Sequence, residues 1–320
     1  MSSCETDAMA PLVSVVVITR NRSASLKRAL QALACLDYPS YEIIVVDNAS
    51  TDDTAQIAAA FSVRYLYSPS NNGISRCRKE GVDAARGEII AFCDDDCVPS
   101  SPWLRHLVRR LWHEKDLGLV GGQVINVGFK GEQCYKGRTK LRRNGKLSFA
   151  AKPEDAEFFG NMNLAFRREV IRAIGGYDPF FNVMEEIDLA TRMRRNGFRV
   201  DYEPAAILEH YNTGIFYKKR HLFFGRQLVR LYFYLKHYQP NTIAEWLNFL
   251  TYELQLIVQD FYRLMRAITA AAIKGKHERW PAIGIELFNI ISARLAIPWL
   301  LRRGRIRALE ESRKRYKQIA

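Results

Sequence analysis

The chain has 320 residues, of which 48% are hydrophobic, and it carries a formal net charge of +14. These values are ordinary for a globular protein whose core is arranged as one large domain or two smaller ones. The six cysteines show no C-x-x-C spacing, which excludes a dense disulfide framework and the common zinc patterns. The first ten residues lack the features of a secretion signal, so we expect a cytoplasmic protein with free thiols.

The positive charge is concentrated in the last third of the chain. Residues 215–320 contain 20 Lys and Arg against 7 Asp and Glu, a net charge of +13, whereas the first 214 residues together carry +1. We therefore predict two parts, a body over residues 11–214 and a basic helical region over residues 215–320. The basic part indicates an anionic partner, either a membrane surface or a nucleic acid.

Apolar strands alternate with helical patterns in the body. The predicted strands cover residues 12–18, 41–46, 64–67 and 88–93, and the predicted helices cover residues 23–33, 53–61 and 75–85. This alternation predicts right-handed βαβ units in an α/β fold with a mostly parallel sheet. Further along, a helix over residues 186–196 and two short strands over residues 200–202 and 206–210 close the pattern.

Three polar segments follow predicted strands, at the edge where parallel sheets bind their ligands. Thr19 and Arg20 follow the first strand, Asp47 follows the second, and the triplet Asp94 to Asp96 follows the fourth. Three adjacent carboxylates at the end of a buried strand cost folding energy unless a cation offsets their repulsion. One interpretation is a solvated acidic loop. The convergence of the three segments favours the other, a site for Mg²⁺ or Mn²⁺ and the phosphates that the ion carries.

A second acidic cluster, Glu185-Glu186-Ile187-Asp188, opens the predicted helix over residues 186–196. The helix dipole stabilises such residues, and that alone would explain them; alternatively, a carboxylate in the first turn takes a proton from an incoming hydroxyl. His210 ends the last predicted strand. A lone histidine is more often structural, but imidazole and carboxylate together can form a metal site. The glycine motifs of P-loop ATPases and dehydrogenases are absent from the sequence.

Six segments, in this order along the chain, resemble the family 2 glycosyltransferases. They are Val13–Asn21, Ile44–Asp52, Asp94–Asp96, Asn161–Arg168, Gly175–Asp178 and Glu185–Leu189. The resemblance spans roughly residues 12–211 and implies a GT-A fold, a Rossmann-like domain with helices flanking its sheet. It also implies an inverting, metal-dependent transfer of a sugar from a nucleotide-diphosphate sugar to a hydroxyl acceptor. The Asp47-Asn48 pair is compatible with a UDP- or dTDP-linked donor.

The resemblance assigns a role to each matching residue. The implied donor-binding residues are Thr19, Arg20, Asp47, Arg78, Asp94, Asp95 and Asn163. Within this set Asp94 would approach the ribose, and Asn163 would line the pocket of the donor sugar. Asp96 would hold the metal, Mg²⁺ or Mn²⁺, and His210 would complete the metal site.

The catalytic base has two candidates. Glu186 matches the position of the family's base, which is usually Asp in a Glu-Asp pair. Here the pair is Glu185-Glu186, so either glutamate remains a candidate. Arg78 and Lys79 match an Arg-Asn pair of the family. Because Lys79 replaces the asparagine, the contacts that the asparagine amide makes are not expected here.

In the basic part, residues 216–238 interleave aromatic and basic side chains. This composition suits the headgroup zone of an anionic membrane, although helices packed on the body would also explain it. We expect a peripheral protein on the inner face of the cytoplasmic membrane, with a lipid-linked or glycan acceptor, in cell-surface glycan or glycolipid synthesis and without a nucleic-acid partner. The alternatives are a nucleotidyltransferase and a noncatalytic basic protein that binds nucleic acid.

Overall fold

A computed structural model describes residues 10–71, 73–128, 133–135, 156–181, 183–211, 223–238, 242–273, 291 and 295–303. The chain divides into two compact units. The first unit contains the described residues up to residue 211, and the second contains those from residue 223 onward. The boundary predicted between residues 214 and 215 falls outside the described ranges.

In the described part of the first unit, nine strands form one sheet. They are β1 (Val13–Thr19), β2 (Tyr41–Asn48), β3 (Arg64–Ser68), β4 (Ile89–Cys93), β5 (Cys97–Pro99), β6 (Leu117–Asn126), β7 (Gln133–Tyr135), β8 (Asn163–Arg167) and β9 (Arg199–His210). Their order across the sheet is β3-β2-β1-β4-β8-β6-β9-β5, and β7 pairs with β6. The predicted α/β class with a large central sheet is therefore confirmed.

Helices flank this sheet and also form the described part of the second unit. The first unit has α1 (Ser23–Leu33), α2 (Thr54–Ala59), α3 (Ile74–Ala84), α4 (Trp103–His113), α5 (Arg168–Ala173) and α6 (Glu185–Arg195), and the second has α7 (Phe223–His237) and α8 (Ile243–Ile273). Every residue of β4 is buried, as expected for a strand covered on both faces. None of the helices in the described ranges combines the length and the apolar character that crossing a membrane requires.

The sheet is parallel in one half and mixed in the other. β3, β2, β1 and β4 run parallel, with Thr19 opposite Asp47 in the register. β8 then runs antiparallel to both β4 and β6, and Cys93 at the end of β4 pairs with Asn163. The parallel half places the carboxyl ends of β1, β2 and β4 at one edge, where the sequence predicts the site.

β9 is one long strand where the sequence predicts two short ones. Its pairing with β6 shifts between Glu203, opposite Gly122, and Ile207, opposite Gln123. Pro204 lies inside this irregularity, because proline cannot donate to the ladder and is accommodated at a bulge. The strand therefore continues to His210, which pairs with Cys97 of β5 and so lies beside the aspartate triplet.

Candidate active site

The loops at the carboxyl edge of the sheet have unusual backbone conformations. Within the described residues, the non-glycine residues with positive φ are Asn21 (51°), Ala49 (59°) and Met184 (65°). Asn21 follows β1, Ala49 follows β2, and Met184 directly precedes α6. Asn21 also ties two of these loops together, since its N–H donates to Ser50 Oγ at 2.8 Å and its Oδ1 accepts from Thr51 N–H at 2.7 Å. Such conformations cost about 1–3 kcal/mol each and occur mainly at functional sites.

Arg22 and Thr19 bind two members of the aspartate triplet. The Arg22 guanidinium donates to Asp95 Oδ1 and to Asp96 Oδ2, each at 2.7 Å. The Thr19 hydroxyl donates to Asp95 Oδ2 at 2.8 Å. Burial raises the pKa of Asp95 to about 7, although Arg22 and Thr19 act in the opposite direction. Asp95 is therefore held inside the edge of the sheet, and Asp96 is the member of this pair that also faces His210.

His210 and Asp96 form a pair that can hold a cation. His210 Nε2 lies 3.4 Å from Asp96 Oδ1, and its Nδ1 lies 2.9 Å from Asn126 Oδ1. When Nδ1–H donates to Asn126, Nε2 faces the carboxylate, and this arrangement is favourable only with a proton or a metal ion between them. Burial would lower the pKa of His210, but the hydrogen bond and the charge of Asp96 outweigh it and raise this pKa.

The charge state of Asp96 also suits a metal ligand. Burial would raise its pKa, but His210 and Arg22 outweigh that effect, and the pKa lies below its ordinary value. Ligand atoms of Asp96, Cys97 and His210 all lie within 4.8 Å of one another. Burial, however, raises the pKa of Cys97 well above its ordinary value, and the thiolate rather than the thiol binds metals. Asp96 supplies the oxygen ligand that Mg²⁺ and Mn²⁺ prefer, and His210 can add a ring nitrogen, whereas the sulfur of Cys97 is a soft ligand that suits these hard cations poorly.

A buried network connects the triplet to the first turn of α6. The Arg78 side chain is 2% exposed, and its guanidinium lies 2.5 Å from Glu185 Oε1 and 3.4 Å from Asp94 Oδ1. Asn161 Nδ2 donates to the same Glu185 oxygen at 3.2 Å, and the Tyr177 hydroxyl donates to Asn161 Oδ1 at 2.7 Å. Burial raises the pKa of Glu185, and the charge of Arg78 opposes this shift.

The two candidate bases have different surroundings. Glu185 is buried in the network just described, whereas its neighbour Glu186 is partly exposed. Asp188, in the same turn of α6, is fully buried and pairs with Arg192 at 2.6 Å. Because a general base must come within hydrogen-bond distance of the substrate, Glu186 is the better placed of the three carboxylates.

Two of the predicted donor-binding residues are buried in contacts within the protein, and their contacts with a donor stay predictions. Asn163 is 1% exposed; its Oδ1 accepts from the Trp103 indole at 2.8 Å, and its Nδ2 donates to the carbonyls of Gln123 and Ala206 at 2.9 and 3.0 Å. These bonds tie β8 to α4, β6 and β9. Arg78 is likewise buried in its ion pairs, so it positions other residues and does not lie on the surface of the site.

The predicted nucleoside contacts lie together at the ends of β1 and β2. Asp47 is 1% exposed and opposite Thr19; its Oδ1 accepts from Ser50 N–H at 2.8 Å, and its Oδ2 accepts from the Tyr65 hydroxyl at 2.6 Å. Arg20 is exposed at the same edge. The structure thus brings together Thr19, Arg20 and Asp47 beside the triplet, and their contacts with a donor stay a prediction.

Sequence reasoning missed two residues of the site. Arg22 lies two residues after Arg20, at the edge of the sheet where the aspartate triplet is predicted. A basic residue at that edge is a signal that the sequence offers. Asn126 carried no signal, because its partner His210 is 84 residues away and only the parallel register of β6 and β9 brings them together.

The chain is similar in sequence to known glycosyltransferases. The family model "Glycosyl transferase family 2" matches residues 14–175, just over half of the chain. Glycosyltransferase AglE of Haloferax volcanii is 32% identical over 183 residues, which cover 54% of this chain and 57% of the relative. The pre-mycofactocin glycosyltransferase of Mycobacterium tuberculosis is 27% identical over 207 residues, which cover 62% of this chain and 42% of the relative. The chain thus spans about half the length of these curated relatives.

Solved structures share its fold. The Pyrobaculum calidifontis mannosyltransferase PcManGT, in complex with GDP-Man and Mn²⁺, matches with a TM-score of 0.52 and 19% identity, over 95% of this chain and 88% of that chain. Staphylococcus aureus TarS 1-349, in complex with UDP, matches with a TM-score of 0.54 and 17% identity, over 96% and 92%. At such identities the likeness shows the fold alone, and the predicted GT-A fold is confirmed. The family match favours a glycosyltransferase over a nucleotidyltransferase or a nucleic-acid-binding protein. Since the family model covers half of the chain, the chain belongs to glycosyl transferase family 2.

Proposed function

We propose that the chain is an inverting glycosyltransferase that moves a sugar from a nucleotide-diphosphate sugar to a hydroxyl acceptor. One observation carries this proposal: Asp96 and His210, a pair that can hold a cation, lie together at the ligand-binding edge of the sheet, and the carboxylate of Glu186 is partly exposed in the first turn of α6. The buried Arg78 connects the two places, because it pairs with Asp94 of the aspartate triplet and with Glu185 in the first turn of α6. The nucleotide ligands of the two structural neighbours, GDP-Man and UDP, support the donor class.

The donor nucleotide binds at the ends of β1, β2 and β4 in this proposal. Thr19, Arg20 and Asp47 lie against the nucleoside, and Asp94, whose side chain is 29% exposed, approaches the ribose. A UDP- or dTDP-linked sugar is the proposed donor, because the Asp47-Asn48 pair is compatible with uracil or thymine. Since one structural neighbour holds GDP-Man and the other holds UDP, the nucleobase of the donor is the feature that a panel of donors must test.

Asp96 and His210 are the residues that would hold Mg²⁺ or Mn²⁺. When bound, the metal would act as a Lewis acid that stabilises the negative charge of the leaving diphosphate. The lowered pKa of Asp96 keeps its carboxylate charged, and Asn126 holds the His210 ring with Nε2 toward it. Arg22 donates to the same carboxylate and therefore competes with the metal for Asp96.

Glu186 is the proposed general base. Its carboxylate takes the proton of the acceptor hydroxyl while that oxygen forms a bond to the anomeric carbon. The bond from the anomeric carbon to the diphosphate oxygen breaks on the opposite face, and its electron pair leaves with the diphosphate. The anomeric centre is therefore inverted. Glu185 supports this step by holding the first turn of α6 against Arg78.

We further propose a lipid-linked or glycan acceptor at the inner face of the cytoplasmic membrane, in cell-surface glycan synthesis. The net charge of +13 over residues 215–320 supports attachment to an anionic surface. The aromatic segment predicted for this contact needs a correction: in α7, Tyr232 and Phe233 are buried, so these rings do not face a membrane. The earlier part of that segment, residues 216–222, lies outside the described ranges.

A panel of nucleotide sugars, incubated with the protein and Mn²⁺ and analysed by mass spectrometry, tests the proposal. We expect metal-dependent transfer or hydrolysis of one donor class, and its loss in Asp96→Ala and Glu186→Gln. Glu169→Gln is the matched control, because Glu169 is an exposed acidic residue in the first turn of another helix, α5. Wild-type activity in Asp96→Ala or Glu186→Gln would refute the corresponding role, and no turnover of any donor would refute the proposal.

A further inference from the structure

The second unit has an apolar surface in contact with solvent. α8 exposes large hydrophobic side chains along most of its length, and we call this set the outer stripe. Its members are Ile243, Leu247, Leu250, Leu254, Val258 and Phe261, with exposed fractions between 54% and 81%. Successive members are three or four residues apart. At 3.6 residues per turn they share one face of the helix, about 27 Å long.

A different face of α8 packs on α7. Phe249 is buried, and its ring stacks on Tyr234 with the centroids 5.0 Å apart. Glu253 is also buried, and it pairs with Arg230 at 2.7 Å. The contact between the two helices therefore leaves the outer stripe in solvent. A continuous exposed apolar face of this size marks a site of interaction with a protein or a membrane.

Charge distinguishes between these kinds of partner. Residues 215–320 carry a net charge of +13, so a second copy of the chain would bring the same charge against it, whereas an anionic bilayer would neutralise it. Basic and aromatic groups also occur in pairs in this unit. The Arg266 guanidinium lies 6.0 Å from the ring centroid of Tyr262, near the end of the outer stripe. The Arg303 guanidinium lies 5.5 Å from the ring centroid of Trp299. Such pairs suit the headgroup zone of a bilayer.

We propose that the outer stripe of α8 docks the protein on an anionic lipid bilayer, with the helix lying in the plane of the interface. The apolar side chains enter the boundary between headgroups and acyl chains, and the basic residues of the unit remain among the headgroups. This inference rests on the proposed membrane attachment and deepens it. It assigns the contact to α8, where apolar side chains are exposed, and not to the rings of Tyr232 and Phe233 in α7, which are buried.

Binding to lipid vesicles by two double variants tests the proposal. Leu250→Glu with Leu254→Glu places two charges in the outer stripe. Asn248→Glu with Gln255→Glu places the same charges at exposed polar positions of α8 outside the stripe. The full chain is sedimented with vesicles of phosphatidylglycerol and phosphatidylcholine in equal parts. We expect the control variant to bind within about twofold of the wild type and the stripe variant to bind at least about tenfold more weakly.

Three results would overturn the inference. Equal losses in both variants would show that charge alone drives binding, and wild-type binding by the stripe variant would show that the stripe is not used. A dimer in light scattering without vesicles, abolished in the stripe variant, would assign the stripe to a second copy of the chain. Circular dichroism checks that both variants fold. Because no nucleotide sugar is present, a failure here leaves the transfer proposal intact.

Discussion

Substitution of each of the two adjacent glutamates of α6 separates their roles. Glu185→Ala removes one partner of a buried ion pair whose other member, Arg78, is 2% exposed. Among the described residues, the Arg78 Nε already has no hydrogen-bond partner. Removing one member of a buried pair costs about 3–5 kcal/mol, and here it leaves Arg78 only the longer contact with Asp94, at 3.4 Å. We expect Glu186→Gln to change the free energy of unfolding by less than about 1 kcal/mol, because its side chain is partly exposed.

Thermal unfolding and initial rates, measured on the same preparations, check both halves of this expectation. A loss of 3 kcal/mol corresponds to a fall in Tm of at least about 6 °C for Glu185→Ala. In Glu186→Gln the Tm stays near the wild-type value and kcat falls by about 10²–10⁴-fold, the range of a general base. The reasoning is refuted if Glu185→Ala keeps the wild-type Tm while activity disappears, or if Glu186→Gln turns over at the wild-type rate.

Three further perturbations follow from named contacts. Arg22→Ala removes the guanidinium that competes for Asp96, and we expect Mn²⁺, titrated calorimetrically without nucleotide, to bind about fivefold more tightly. The pKa of Glu42 lies below its ordinary value, because the hydrogen bonds and charge of Arg86 outweigh burial. The contribution of Glu42 to stability is therefore fully present above the ordinary pKa of a glutamate and is lost as the pH falls through the lowered pKa. In urea unfolding, the wild type should be more stable than Glu42→Gln at neutral pH, and the difference should disappear in acid below that lowered pKa. In Gly122→Ala the new Cβ would lie 2.5 Å from the Asn163 amide oxygen, and we expect a fall in Tm.

The parallel half of the sheet could be predicted because its signals are local. The apolar run of β1 and the amphipathic pattern of α1 identify both elements to within one residue. Ser23, predicted as the N-cap of α1, is its first residue, and the helix ends at Leu33 as predicted. Because parallel strands end at one edge, the neighbourhood of Thr19, Asp47 and Asp94 followed from the order of strands alone. No long-range information was needed for this part of the site.

Contacts that depend on the register of distant elements could not be predicted. Arg22 and Asp95 are 73 residues apart, and Arg78 and Glu185 are 107 apart, so no local pattern relates them. The sequence predicts two short strands, over residues 200–202 and 206–210, whereas the bulge that joins them into β9 depends on the pairing with β6. In α7, composition showed aromatic residues but not which face is buried, since burial is decided by the neighbouring elements.

The charges around the aspartate triplet explain how three adjacent carboxylates are accommodated at this edge of the sheet and how a metal would bind there. Arg78 lies beside Asp94, Arg22 bridges Asp95 and Asp96, and His210 also faces Asp96. The repulsion expected from the sequence is therefore offset by groups of the protein itself. Only Asp96 shares its carboxylate between a partly exposed arginine and a titratable imidazole, and both can yield to a stronger cation. In the proposed function, metal binding at Asp96 would be an exchange of cations, and its affinity would depend on how firmly Arg22 is held.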